Sequence, residues 1–349
     1  MPGIIMLKTF DEKINEFLFV IVLPFILFFM SYYGFESSYV VGIKSWEKTP
    51  NFMFSSVYAY RVIPNYLSVH VTEAVTCTVY NYTPFAKSFL LKQGSLFYHS
   101  TFLINVFFFI LASVFLDKIF KLKSGQQLLQ NENARRMLHL IAVFFIVIVQ
   151  YVPTNCDCIA IFFYVLGIFL TLKYLQENKP MYLVCLAAVI FISTCVRETA
   201  CLNISFFAAV FINPDHIKER NFLAVKEVFF LVLAFILPYI GLRLFIHQNT
   251  SFVEGIYLIK NFTSPYNLLG LLFGLMSIYF SYSMSGKYGK RLIIKYLLFS
   301  SPYIFMIASV GLFWEARLFL PLILTGMIAV SQNDAGKLTA TKNSNKYQL

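Results

Sequence analysis

Charged residues are scarce in this chain. Only 13% of its 349 residues are Asp, Glu, Lys or Arg, against about 25% in a soluble domain, which excludes an ordinary water-soluble globule. Cysteine is also thin, with six in all, and the six make no disulfide framework. Cys156 and Cys158 are too close together to pair easily, and Cys185, Cys195 and Cys201 sit in apolar runs where they read as small core residues. The signatures of nucleotide and hydrolytic chemistry are missing: there is no P-loop, no GxGxxG and no GxSxG. His70, His99 and His247 lack the spacing of a helix-borne zinc site. No metal and no cofactor is therefore expected. No cleavable leader stands out either. The first apolar run follows Lys8 and Lys13, is long and lacks a small-residue cleavage site, so it is expected to be a membrane anchor.

What is present is hydrophobic. The chain is 58% apolar, with a mean hydropathy of +0.69 and 40 Phe and 22 Tyr, a composition suited to lipid-facing and interfacial positions. The expected fold is all-α, a polytopic transmembrane bundle of about ten spans of roughly 20 residues each. The spans fall at 15–33, 97–116, 137–153, 158–175, 181–196, 199–212, 227–246, 266–283, 296–314 and 317–331. The sixth is short and reads as a half-helix or a re-entrant segment. The transmembrane domain is thus 1–331, with a long outer loop at 34–96, and 332–349 is a polar tail expected to be disordered and cytoplasmic.

The net charge of +11 fits basic cytoplasmic loops better than nucleic-acid binding. With the N-terminus cytoplasmic, roughly two-thirds of the 28 Lys and Arg residues fall on the inner side. Drawing 181–212 as one helix would give a rod of roughly 48 Å against a hydrocarbon core of about 30 Å. It would also turn the basic stretch Lys287–Lys295 outward. A break at Arg197-Glu198 is therefore expected, with both termini cytoplasmic.

The few charges inside apolar sequence then mark the candidate site. A charge at mid-bilayer costs about 2.5–3.5 kcal/mol, so these positions read either as turns at one membrane face or as the lining of a polar cavity. Arg61, in Tyr58-Ala-Tyr60-Arg61-Val-Ile-Pro64, either clamps a phosphate or carboxylate beside Tyr60 or anchors an interfacial helix spanning Ser55 to Val71. Arg197 and Glu198 either hold a lipid-linked headgroup, with Glu198 as general base, or pair helices at a turn. As sequence neighbours they do not face each other, so each is expected to find its partner on another segment. Glu315 and Arg317 either line the same cavity or form a surface turn beside Trp314. Asp157 is the only outer aspartate, either an acid/base or metal ligand or the solvator of a tight turn.

In layout, Tyr60-Arg61-Val-Ile-Pro64, Arg197-Glu198-Thr199 and Glu315-Ala-Arg317-Leu-Phe-Leu-Pro321 resemble bacterial polytopic proteins of surface-polysaccharide assembly. These are membrane glycosyltransferases of the GT-C type and polymerases of O-antigen or capsule. GT-C enzymes carry an Asp early in the first outer loop. Segment 34–96 has none, so Glu36 or Glu47 would stand in its place. The resemblance implies transfer or polymerisation of sugars from a polyprenyl-linked donor at the periplasmic face of the inner membrane. Arg61, Arg197 and Arg317, with Tyr60, would bind the donor, and Glu198, Glu315 and Asp157 are the catalytic candidates. The implied partners are the bilayer and a polyprenyl-linked saccharide; the oligomeric state stays open. A transporter or flippase, and a non-catalytic assembly subunit, are the alternatives.

Overall fold

The computed structural model describes residues 12–35, 38–122, 131–150, 154–212, 223–247 and 256–332. Glu36 and nearly all of the tail at 332–349 lie outside the described residues. Every long element is a helix. They are α1 (Glu12–Gly34), α2 (Ser38–Ser45), α3 (Val62–Asn81), α4 (Pro84–Gln93), α5 (Leu96–Lys121), α6 (Glu132–Gln150), α7 (Asp157–Glu177), α8 (Pro180–Thr194), α9 (Cys201–Phe211), α10 (Leu223–Phe245), α11 (Leu258–Thr263), α12 (Pro265–Met284), α13 (Lys287–Phe299), α14 (Ser301–Val310) and α15 (Leu320–Ser331). This is a helical membrane protein. Among the described residues, α1, α5, α7, α10 and α12 are long and apolar enough to cross a bilayer. A sixth span results if α13 and α14, bent by 56° at Ser300, count as one.

Local chemistry sets the breaks. α7 ends where Asn178 takes a left-handed conformation, and Pro180 opens α8 after a two-residue link, the usual stop and start signals. α8 stops at Thr194. Arg197 is extended, a 3-10 turn covers Glu198–Ala200, and α9 begins at Cys201, so the chain does break at Arg197-Glu198. Pro302 sits in the first turn of α14, where its missing N–H interrupts the hydrogen-bond ladder from α13.

Several boundaries differ from those read in the sequence. Segment 34–96 is largely helical rather than a loop. Inside it the helix expected over Ser55–Val71 is instead a short 3-10 turn, Ser56–Tyr60, followed by α3 from Val62. Pro64 sits in the first turn of α3, where proline is tolerated, and that moves the start past Arg61. The span drawn at 296–314 is divided between α13 and α14, and the last helix begins at Leu320 rather than Arg317, because Glu315–Leu318 forms its own turn.

α7 and α15 form the centre. α7 packs against α5, α8 and α9, while α15 packs against α6, α12 and α13. Nearly every residue of α15 is buried. Its Thr325 joins Tyr164 of α7 and Tyr296 of α13 in a buried hydroxyl cluster, with the two tyrosine oxygens 2.6 Å apart. α3 packs on α5, and the Ile63 amide donates to the Cys195 carbonyl at 3.3 Å. Segment 34–96 is thereby fastened over the end of the bundle that carries the Arg197 break.

Candidate functional site

Asp157 is the hub of the charges brought together there. It is the first residue of α7 and is 2% exposed. A carboxylate suits a helix N-terminus, and the tight turn before it is closed by the Thr154 amide and hydroxyl, which donate to Oδ2 at 2.8 and 2.9 Å. Arg197 donates to Oδ1, and Arg317 donates to Oδ2 at 3.3 Å. One buried acid therefore joins α7, the α8–α9 break and the turn before α15. Burial works against the charge on Arg197; the Asp157 carboxylate more than offsets it, and the guanidinium titrates above its ordinary value. Both carboxylate oxygens of Asp157 are occupied, which fits a structural anchor better than the acid/base or metal-ligand role read from the sequence. Among the described residues no three His, Cys, Asp or Glu side chains gather as a metal site.

Two chambers meet at Arg317. The smaller, about 20 Å³, lies between Gln150, Asp157, Tyr164, Arg197, Tyr303 and Arg317, room for a single water. The larger, about 480 Å³, is lined by Tyr58, Arg61, Glu315 and Arg317 among others. Ile148 of α6, Phe273 of α12 and Trp314 complete an apolar wall. Arg317 donates to Glu315 from Nε and from a terminal nitrogen at 3.2 and 3.0 Å, both to Oε2. Oε1 of Glu315 takes no hydrogen bond among the described residues.

Arg61 is the unusual member. Its guanidinium lies over the Tyr58 ring, 4.7 Å from the centroid, and donates to the Cys156 sulfur at 3.4 Å. Its Nε is buried without a hydrogen-bond partner, and no carboxylate lies within ion-pair distance of it among the described residues. A charge withdrawn from water is normally paired. The half-buried Arg61 guanidinium lines the larger chamber with only Tyr58 and Cys156 as partners among the described residues.

Two buried asparagines shape the wall that carries Glu315 and Arg317. Asn261 of α11 donates to the Ala308 and Gly311 carbonyls at 3.0 and 2.7 Å and accepts from the Phe313 amide at 3.1 Å. Asn267 of α12 accepts from the Trp314 amide at 3.1 Å and donates to the Lys260 carbonyl at 3.1 Å. The turn thus approaches α12 so closely that a methyl group on Gly270 would run into the Phe313 carbonyl. On the other side, Asn65 fixes the Arg61 turn. It donates to the Met53 and Tyr58 carbonyls and accepts from Asn155 at 3.1 Å, which ties α3 to the α7 turn.

Of the residues singled out in the sequence, Asp157, Arg197 and Arg317 meet directly, and Arg61 and Glu315 share the larger chamber with Arg317. Glu198 and Tyr60 are elsewhere and line neither chamber. Glu198 faces Arg243 of α10 at 3.7 Å, and the Arg243 guanidinium lies 4.6 Å from the Tyr60 ring and 3.6 Å from the Tyr239 ring. The physical reason is the one that separated Arg197 from Glu198: neighbours in an extended or tightly turned stretch project in different directions, so Tyr60 and Arg61 diverge as Arg197 and Glu198 do. Sequence reasoning named Tyr58 only as part of the stretch around Arg61, and did not single out Gln150, Asn155 or Arg243. Gln150 carried a usable signal, a polar side chain closing an apolar helix. Tyr58 is marked only by its place one turn before Arg61.

No family model, no curated protein and no solved structure matches this chain.

Proposed function

We propose that the chain is a ten-span, GT-C-like or polymerase-like enzyme of a bacterial inner membrane, with both termini cytoplasmic. In this reading it transfers or polymerises sugars from a polyprenyl-linked donor at the periplasmic face. The observation that carries the reading is Arg61, with no carboxylate partner among the described residues, lining the same chamber of about 480 Å³ as the Glu315–Arg317 pair.

Arg61 and Arg317 bind the diphosphate of the donor. The acceptor hydroxyl oxygen attacks the anomeric carbon as the bond from that carbon to the diphosphate oxygen breaks. The electron pair leaves with the polyprenyl diphosphate, whose developing charge the guanidiniums stabilise. The hydroxyl proton passes to Oε1 of Glu315, the oxygen left open by the Arg317 bonds. Asp157 and Arg197 act as positioning residues that hold Arg317 in place. Glu198, bound to Arg243, steadies the α8–α9 break rather than touching substrate. Ile148 and Phe273 line the chamber and keep apolar surface exposed, which suits a membrane-borne donor.

Deletion of the gene, followed by analysis of lipid-linked glycans and complementation with Glu315→Gln, tests the reading. The expected result is accumulation of the lipid-linked donor on deletion, with no rescue by the correctly inserted variant. Full rescue by Glu315→Gln would remove the catalytic assignment. A deletion that changes only the sidedness of the lipid-linked sugar would favour a flippase.

A further inference from the structure

Helix α4 has an apolar face with no protein against it. Phe85 and Phe89, one turn apart, are 82% and 66% exposed, and Tyr82 just before them is 77% exposed. Fully burying a side chain of this size is worth about 1.5–3 kcal/mol, so leaving all three in water is costly.

The hydrogen bonds of α4 fix its depth. The Leu90 carbonyl lies 2.9 Å from Nε2 of His99, and Nδ1 of His99 lies 2.9 Å from the Tyr33 hydroxyl. His99 is in the first turn of the α5 span, and Tyr33 is in the last turn of the α1 span. The C-terminal half of α4 is therefore level with the ends of two membrane spans, within about one helical turn of 5.4 Å. Ser95, at the head of α5, also receives the link from α2: its amide donates to the Lys44 carbonyl at 3.0 Å. α4 thus cannot stand far out in solvent.

Charge adds to this: Lys92 lies one turn after Phe89 on the aromatic face, and Lys87 lies on the other side of the helix. Lys87 and Lys92 lie on α4, and the Lys87 ammonium sits 3.9 Å from the centre of the Tyr80 ring. Between Glu73 and Asp117 the sequence contains no Asp or Glu. A short helix with an aromatic face, two lysines and no Asp or Glu of its own has the chemistry of an interfacial helix on anionic lipid. A lysine near such a surface contributes about 1 kcal/mol.

We infer that α4 lies in the headgroup layer of the bilayer, with Phe85 and Phe89 at the acyl boundary and Lys87 and Lys92 on the phosphates of anionic lipids. This anchors segment 34–96 to the membrane. The placement rests on the spans and on α4 alone, and it stands whether or not the chamber binds a polyprenyl donor.

The test is spin labelling of purified full-length protein in nanodiscs. Phe85→Cys and Phe89→Cys are each labelled in a Cys77→Ser background, and collision with oxygen and with a water-soluble nickel chelate is read by electron paramagnetic resonance. In discs of phosphatidylcholine and phosphatidylglycerol, both labels are expected to be accessible to oxygen and shielded from nickel. In discs of phosphatidylcholine alone, or with Lys87→Gln/Lys92→Gln, they are expected to rise towards water, with several-fold greater nickel contact. All these positions are on the surface, so the variants should retain the parent's thermal unfolding. Labels fully open to nickel in the mixed discs would overturn the inference and leave the face for a protein partner. Immersion indifferent to phosphatidylglycerol and to the lysines would overturn the anionic-lipid assignment.

Discussion

At the scale of single residues, Asp157 and Arg61 are opposites, and the contrast is testable. Asp157 is buried and ion-pairs with both Arg197 and Arg317. Removing one partner of a buried ion pair leaves an uncompensated charge and costs about 3–5 kcal/mol. Asp157→Asn should therefore unfold at a clearly lower temperature in detergent than the parent protein. Arg61 has no carboxylate to lose among the described residues, so Arg61→Ala should leave thermal unfolding nearly unchanged or raise it slightly. A large destabilisation by Arg61→Ala would mean that the guanidinium holds the fold rather than waits for a ligand.

At the scale of elements, the site depends on how its turns are held. Asn261 and Asn267 bind the strip from Gly311 to Trp314 through buried amides. Each alanine replacement leaves backbone groups unsatisfied, at about 1–3 kcal/mol. Asn267→Ala should lower the unfolding temperature and loosen the wall that presents Glu315. Trp314 fluorescence would report this as a change in emission; an unchanged spectrum and melting temperature would contradict it.

The all-helical membrane character was legible in the sequence because hydropathy and length mark apolar helices, and the break at Arg197-Glu198 followed from span length; the count of ten spans was not, since five or six described helices are long and apolar enough to cross. The turn and helix inside segment 34–96 were blurred because Pro64 reads equally well as a breaker or as a first-turn residue. The pairings were not legible. Arg197 meets Asp157 across 40 residues and Arg317 meets it across 160, and nothing local encodes such distances. What could be read was that Arg197 and Glu198 must seek separate partners, since adjacent side chains diverge; which partners they found depended on how α7, α10 and α15 pack.

At the scale of the whole molecule, the proposed map puts segment 34–96 on the outer side of the membrane. Cys77 of α3 is the one exposed cysteine of the six, so the native chain carries its own probe. A membrane-impermeant maleimide should label intact cells through Cys77, and Cys77→Ser should abolish the signal. Protection of Cys77 until the membrane is permeabilised would invert the map and move the chamber to the cytoplasmic side.

The central claim is that Arg61 and the Glu315–Arg317 pair form a receptor for the diphosphate of a membrane-borne donor. The most direct measurement is binding of a long-chain polyprenyl diphosphate to the purified protein in nanodiscs, parent against Arg61→Ala. A charge-assisted hydrogen bond is worth about 1.5–3 kcal/mol, so affinity should fall by roughly tenfold or more with unfolding temperature preserved. Equal affinity in a fully folded Arg61→Ala protein would contradict the account.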